Sequence, residues 1–266
     1  MSAALRALAA LGAVSALGAA SPLELPAQVR LEFVVSSRAE LDAYGRTRGV
    51  QLGIAAAGLL DSLEEALLAA APAPEVIVAL PLDELHLAQL RALPTKVRLT
   101  VLADRRYDAG LASLAKVGPR FVAVELAGPL DAARVAKLGA LRHGSVALLR
   151  PDGVVTIDDV RLLGTLAARP ALVIDVFGVA AALDGPCARC SLTIRAPRGA
   201  LSAADVERLV RAKRLVRVRA MGGLDRASLP ALAPLSPVDV QVWLPDAGDL
   251  DLRRVVRELR GDGRAP

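Results

Sequence analysis

The strongest constraint on this chain is an internal repeat of about 23 residues. Each unit has a short strand that alternates valine with a polar residue, then a turn, a short polar side chain and a helix with LxxL spacing. Val97–Val101 and Val238–Val242 are two such strands. A single unit cannot bury its own apolar face, so neighbouring units must stack and share one core. The repeat therefore predicts an α/β fold built of strand-helix units.

Ten segments have strand patterns, and their starts are roughly 20 to 26 residues apart. The gaps between them carry leucine or valine at every third or fourth position, which is the spacing of one helix face. The predicted strands are Val29–Val35, Val50–Ile54, Val76–Leu80, Val97–Leu102, Phe121–Leu126, Ser145–Leu149, Ala171–Val176, Ser191–Ile194, Leu215–Val218 and Val238–Val242. The predicted helix N-caps are Asp83, Asp108, Asp131, Thr156, Ser202 and Asp225.

Two architectures fit such repeats: an open parallel-sheet solenoid and a closed eight-stranded β/α barrel. Counting strands from Val76 gives eight, the barrel number, whereas counting from Val29 gives nine or ten. Polar residues share one parity of several strands, as Arg217 and Arg219 do. A barrel interior would have to bury and pair such arginines, which is costly, whereas an open sheet leaves them in water. We therefore predict the open solenoid, with the closed barrel as the alternative.

The segment Leu87–Pro94, which leads into Val97–Val101, resembles the leucine-rich-repeat family. The same register recurs where Leu111–Leu114 precedes Phe121–Leu126, and the resemblance covers most of residues 76–260. The asparagine that follows the strand in that family is missing, because this chain contains no asparagine. The resemblance implies a horseshoe whose strand face binds a protein or another large ligand.

Residues 1–20 have the pattern of a secretory signal peptide. Met1–Arg6 is a short positive lead, Ala7–Leu17 is an apolar run too short to span a membrane, and small residues precede a cleavage site at Ala20. Residues 21–266 are predicted to form a single strand-helix repeat domain, with a candidate joint in the Ala-Pro-Ala-Pro stretch 71–74. We expect an exported protein, periplasmic or secreted, without a transmembrane segment.

Charge and cysteine content narrow the function classes. The formal net charge of +5 is small and evenly spread, and no nucleic-acid-binding motif accompanies it, so we predict no nucleic-acid partner. Cys187 and Cys190 are the only cysteines, and in an exported protein they are expected to form a local disulfide. One CxxC with the distant His86 and His143 does not supply the four ligands that zinc needs. We predict neither a metal nor a cofactor.

The polar parity of the strands is the candidate binding surface. Arginine and tryptophan are enriched among binding hot spots, and Trp243 is the only tryptophan. Opposite charges on neighbouring strands are equally compatible with a face that neutralises itself through surface ion pairs. The predicted binding residues are Glu125, Asp175, Arg195, Arg217, Arg219 and Trp243, and Arg98, Phe177, Asp239 and Gln241 share their parity.

No catalytic constellation is recognisable, so we expect a non-enzymatic binding or scaffold protein that uses this face for an unidentified protein or large ligand. The barrel alternative predicts an enzyme whose site lies at the C-terminal ends of the strands. The residues that would converge there are Asp104, Arg105, Arg150, Asp152, Arg195, Arg198, Arg219 and Asp246.

Overall fold

The computed structural model describes residues 29–35, 51–225, 228–235 and 238–243. In this part of the chain ten strands form one parallel sheet that closes into a barrel, each strand lying beside its neighbour in sequence. The strands are β1 (Val29–Val35), β2 (Gln51–Ala56), β3 (Glu75–Ala79), β4 (Arg98–Ala103), β5 (Val122–Leu126), β6 (Gly144–Leu149), β7 (Arg169–Asp175), β8 (Ser191–Pro197), β9 (Val216–Met221) and β10 (Val238–Trp243). The predicted strand-helix units are confirmed.

Helices fill most of the connections described between strands. They are α1 (Ser62–Ala70), α2 (Glu84–Ala92), α3 (Ala132–Leu138), α4 (Ile157–Gly164), α5 (Val179–Asp184), α6 (Ala203–Ala212) and α7 (Ser228–Leu232). Three 3-10 segments accompany them: Arg105–Val117, Val176–Gly178 and Ala233–Leu235. Four predicted N-caps accept a backbone N–H with their side chains, namely Asp83, Asp131, Thr156 and Ser202.

The sheet is closed by pairing between β1 and β10, in which Val29 lies opposite Val238 and Val34 opposite Trp243. The predicted open solenoid is therefore wrong. The barrel alternative is right about closure and wrong about the number of strands, because β1 and β2 are regular members of the ring. The horseshoe that the leucine-rich-repeat resemblance implies is not observed, and membership of that family stays a prediction.

Alternation along each strand divides the barrel into an outer and an inner set of side chains. The outer set is apolar and packs against the helices; Phe33, Ile54 and Val101 belong to it and are fully buried. The helix faces predicted at Leu87 and Leu90 and at Leu229 and Leu232 are buried against this layer. The main hydrophobic core therefore lies between sheet and helices.

The inner set contains the polar residues that alternate along the strands, which the open solenoid was expected to expose to water. Glu32, Thr100 and Arg219 are each less than 5% exposed, and Gln241 is fully buried. An eight-stranded barrel is just wide enough for its inward side chains to fill, so ten strands enclose more space. Long arginine, glutamate and glutamine side chains occupy that space and pair with one another, which offsets the cost of burying them.

Several other expectations concern individual segments. The stretch 71–74 is the turn between α1 and β3, and the strands on both sides of it belong to the same barrel. Cys187 and Cys190 lie between α5 and β8 with their Cα atoms 5.5 Å apart and their sulfur atoms within bonding distance. Among the described helices none has the length and apolar character that crossing a membrane requires. The predicted signal peptide, residues 1–20, lies outside the described residues.

Candidate functional site

The barrel interior has three parts along its axis. One cavity lies at the N-terminal mouth, where the strands begin, and another lies at the C-terminal mouth, where they end. Between them lies a layer of paired polar side chains, which we call the central network. It consists of Glu32, Glu75, Arg98, Thr100, Arg217 and Gln241.

Glu75, at the start of β3, is the hub of the central network. Its carboxylate lies 3.0 Å from Nη2 of Arg98 and 3.4 Å from Nη1 of Arg217, and the Thr100 hydroxyl donates a hydrogen bond to it at 2.5 Å. Burial alone would raise the pKa of Glu75, but Arg217 and Arg98 outweigh burial and hold that pKa below its ordinary value. Glu75 is therefore ionised at neutral pH.

Glu32 on β1 is buried in the same network but is less well compensated. Its Oε2 accepts a hydrogen bond from Gln241 at 2.9 Å, whereas its Oε1 has no hydrogen-bond donor among the described residues and lies 3.6 Å from Arg98. Burial, reinforced by the nearby negative charge of Glu75, raises the pKa of Glu32 to about 7. A Cβ at Gly53 would lie only 3.2 Å from Oε1, so a glycine at this position avoids a close contact with the Glu32 carboxylate.

A bidentate ion pair joins the central network to the C-terminal mouth. Arg219 donates to both carboxylate oxygens of Glu125, at 2.7 and 3.1 Å, and its Nε donates to Gln241 at 3.3 Å. The same guanidinium lies over the ring of Trp243, 4.4 Å from the centroid, in cation–π contact. Arg219 is thus held by three residues on two strands, Glu125 of β5 and Gln241 and Trp243 of β10, and its position is fixed before any ligand arrives.

Above this pair lies a cavity of about 430 Å³. Apolar side chains form most of its wall, and a few charged groups converge on it, which is typical of small-molecule sites. Its lining residues are Ala79, Leu80, Leu102, Ala103, Asp104, Tyr107, Glu125, Ala127, Leu149, Arg195, Arg219, Met221 and Trp243. Two arginines face two carboxylates, so the lining is electrically balanced.

The structure brings most of the predicted binding residues together, but inside the barrel rather than on an open face. Glu125, Arg195, Arg219 and Trp243 all line the C-terminal cavity. Asp175 lies beside it, 2.7 Å from Nε of Arg195. Two residues lie apart from this group. Arg217 belongs to the central network and lines the N-terminal cavity, and Phe177, which was expected to share the parity, is 72% exposed in the turn after β7.

The residues that the enzyme alternative gathers at the C-terminal ends divide in the same way. Asp104 lines the cavity together with Arg195 and Arg219. Arg105 pairs with Asp131 near the exposed surface. Arg150 pairs with Asp159 in the first turn of α4, and Asp152 accepts a hydrogen bond from the backbone N–H of Val154. The backbone N–H of Arg198 donates to the carbonyl of Met221. Asp246 lies outside the described residues.

Sequence reasoning missed Glu32, Glu75 and Tyr107. Glu32 alternates with apolar residues in its strand, and the parity argument used for Arg98 could have found it. Glu75 lies one residue before the predicted start of β3, so the alternation argument was not applied to it. Tyr107 follows β4 in a 3-10 segment, and the spacing of apolar residues in that segment does not indicate that Tyr107 lines a cavity.

One predicted helix cap is wrong. Asp108 does not cap a helix but pairs with the buried Arg134 at 2.9 Å, and Asp104 is the N-cap residue of the segment Arg105–Val117.

The N-terminal cavity, of about 380 Å³, differs from the other in charge. Five arginines and three carboxylates line it: Arg30, Arg98, Arg169, Arg189 and Arg217 with Glu75, Glu125 and Asp239. The two mouths of one barrel thus present different chemistry, one balanced and largely apolar, the other positive.

Comparison of the chain with protein-family models, with curated proteins and with solved structures finds no match. The geometry of the barrel interior is therefore the basis for assigning a function.

Proposed function

We propose that this protein binds a small organic molecule in the cavity at the C-terminal mouth. The observation that carries the proposal is the combination of a cavity of about 430 Å³, apolar walls and two fixed ion pairs at its edge. Because two arginines and two carboxylates line the cavity, a ligand without net charge, neutral or zwitterionic, suits it best. Its apolar part would contact residues such as Leu102 and Met221, and its polar part would meet Arg195 or Glu125.

This proposal keeps the binding role expected from the sequence and changes the size of the ligand. A protein partner would need the polar strand residues on an accessible face, but Arg219 is 4% exposed and Gln241 is fully buried. The interior of the barrel admits only a molecule that fits within its mouth. Preorganisation supports the same conclusion, since Arg219 and Trp243 are already locked together and need not be ordered on binding.

Trp243 offers a direct readout because it is the only tryptophan in the chain and lines the cavity. We would titrate the full chain with leucine, methionine and phenylalanine as zwitterionic probes, and with the amine and the carboxylate that correspond to each. Tryptophan fluorescence and thermal shift would report binding. We expect the zwitterions to bind more tightly than either singly charged counterpart, because they complement both members of the balanced lining.

Two variants test the location. Ala127→Phe places a ring in the cavity, and Tyr107→Ala removes an aromatic wall at its rim; each should weaken binding at least about tenfold. Phe177→Ala, which removes an exposed aromatic that does not line the cavity, is the matched control and should leave affinity unchanged. Binding that survives Ala127→Phe, or the absence of binding by every probe, would contradict the proposal.

Catalysis at the same mouth is a second candidate, favoured by the closure of the parallel barrel and by the carboxylate of Glu125 facing the cavity. Reaction sites of closed β/α barrels lie at this end of the strands. Mass spectrometry of each probe after incubation with the protein separates the two candidates. New products that disappear in Glu125→Gln would favour the enzyme, and unchanged probes would favour simple binding.

We also propose that the protein is exported. The signal-peptide pattern of residues 1–20 and the bonded pair Cys187–Cys190 support this, since disulfides persist in oxidising compartments. N-terminal sequencing of the protein recovered from the producing cells should begin at Ser21. A chain that begins at Met1 would count against export.

A further inference from the structure

We propose that the cavity at the N-terminal mouth is a second binding site, for a compact organic anion with a carboxylate or phosphate head and a short apolar body. This site lies at the opposite end of the barrel from the one proposed above, and its argument uses different residues. Four features of the cavity carry it: excess positive charge, two arginines without a carboxylate partner among the described residues, free space lined by hydroxyl groups, and an apolar rim.

The charge excess exceeds the bare count of five arginines against three carboxylates. Glu125 forms its ion pair with Arg219 at 2.7 Å, so it compensates the arginines of this mouth only from a distance. The other two carboxylates are shared. Glu75 lies between Arg98 and Arg217, and Asp239 accepts from Arg30 at 2.7 Å while lying 4.0 Å from Arg217. Among the residues that line the cavity, three paired arginines thus share two acids, and behind them Glu32 lies 3.6 Å from Arg98.

The remaining two arginines have no carboxylate partner in the described part of the chain. Arg169 begins β7 and Arg189 lies in the loop before β8, and both line the cavity. Deeper inside, Nε of Arg98 is buried without an acceptor among the described residues. A buried donor left without an acceptor is unfavourable. Arg169 and Arg189 are exposed, so water is their acceptor in the free protein, and an anion bound between them would take the place of that water.

Small residues beside the arginines make the space for such an anion. Ala123, Ser145, Ala147 and Ala171 face inward on three consecutive strands, β5 to β7, and line the cavity. Hydroxyl groups accompany them, at Ser145 and also at Ser191 and Thr193 on β8. Ser145 is the cross-strand partner of Arg169, and Thr193 that of Arg217, so hydroxyl and guanidinium donors lie side by side. Carboxylate and phosphate oxygens accept hydrogen bonds from both kinds of donor.

The rim of the cavity is apolar, which argues for a ligand with more than a charged head. Phe121 and Leu215, each the residue before a strand, are 41% and 65% exposed and line the cavity. Next to them the bonded pair Cys187–Cys190 closes a short loop in which the Cys190 N–H donates to the Cys187 carbonyl at 3.1 Å. That loop places Arg189 at the same rim. An anionic head among the arginines would leave its apolar body against Phe121 and Leu215.

The experiment is calorimetric titration of the full chain with phenyl phosphate and benzoate. Benzyl alcohol, which keeps the ring without the charge, and inorganic phosphate, which keeps the charge without the ring, are the comparison probes. We expect at least one of the two aromatic anions to bind at least tenfold more tightly than either comparison probe, and its affinity to fall as salt is raised.

Variants locate the site. Arg169→Gln combined with Arg189→Gln should weaken binding of the aromatic anion at least tenfold. Arg161→Gln combined with Arg211→Gln removes the same charge from exposed helix positions on the outside and should change it less than twofold. Ala127→Phe, which fills the other mouth, should also leave it unchanged. Failure of the wild-type protein to bind either aromatic anion, or equal losses in the two double variants, would overturn the proposal without touching the C-terminal site.

Discussion

At the scale of single residues, the barrel interior shows how two glutamates in one network acquire different protonation. Glu75 lies within 3.4 Å of two guanidinium groups and stays ionised. Glu32 is equally buried, but its nearest guanidinium is 3.6 Å away and Glu75 adds a like charge. Burial and the charge of Glu75 therefore raise the pKa of Glu32, whereas Arg217 and Arg98 outweigh burial and lower the pKa of Glu75.

Glu32→Gln should change how stability depends on pH. The pKa of Glu32 is raised from 4.5 to about 7, so between these values the folded state holds a proton that the unfolded state has released. This group therefore makes the wild-type protein lose stability as pH rises from about 4.5 to about 7. Measured by urea unfolding, the stability of the variant relative to wild type should improve by roughly 1–3 kcal/mol between about pH 5 and about pH 8.

A surface glutamate provides the control for this measurement. Glu84 accepts a hydrogen bond from Lys116, which lowers its pKa rather than raising it. Glu84→Gln should therefore show no gain in relative stability as pH rises. If Glu32→Gln and wild type differed by the same amount at both pH values, the carboxylate of Glu32 would not be destabilised by its burial, and this account of the central network would fail.

At the scale of strands and helices, the sequence was sufficient to predict all ten strands, and the predicted ends lie within three residues of those in the described part of the chain. Alternation also predicted which side chains share a face, because every polar residue assigned to one parity within a strand faces the barrel axis. The 3-10 conformation of Arg105–Val117 was not predicted. Its buried residues Leu111, Leu114 and Val117 recur every three positions, which suits a 3-10 and an α-helix equally.

Gly144 tests how closely two neighbouring strands approach. It is the first residue of β6 and lies opposite Val122 of β5, and a Cβ at this position would overlap the Val122 carbonyl oxygen. Gly144→Ala should therefore lower the free energy of unfolding by roughly 2–4 kcal/mol, as overpacking against backbone does. Chemical unfolding followed by circular dichroism measures this loss.

Gly164→Ala is the matched control, because Gly164 ends α4 and its Cβ would meet no atom within 4 Å. It should be neutral or stabilising by up to about 1 kcal/mol, since alanine is the better helix former. A tolerated alanine at Gly144 would show that β5 and β6 begin farther apart than described here.

At the scale of the whole molecule, closure could not be predicted from the repeat. An open solenoid and a barrel use the same unit, and they differ in whether the first and last strands meet after the strand tilt has accumulated around the sheet. That contact joins β1 and β10, about 200 residues apart in sequence. The expectation that the cost of burying arginines disfavours a barrel failed because the inner arginines, Arg98, Arg195, Arg217 and Arg219, each lie within 4.0 Å of a carboxylate.

Closure of the barrel also decides what kind of ligand the inward-facing polar residues can contact. On an open sheet those residues would meet a large partner, whereas in a ring they divide the interior and leave one cavity at each mouth. The candidate residues Glu125, Arg195, Arg219 and Trp243 could be predicted because parity is a local property. Their enclosure, and the small size of any ligand that reaches them, depends on the pairing of distant strands.

The most direct test of this account is whether β1 and β10 are neighbours in solution. Nuclear Overhauser effects between backbone protons of Leu31–Phe33 and Val240–Val242 measure this in deuterated protein, with the β9–β10 pair as the internal positive control. The closed barrel predicts both sets of contacts, since paired strands lie about 4.8 Å apart. An open solenoid would place β1 and β10 some 40 Å apart. Contacts between β9 and β10 without any between β1 and β10 would contradict the closed barrel and the two cavities within it.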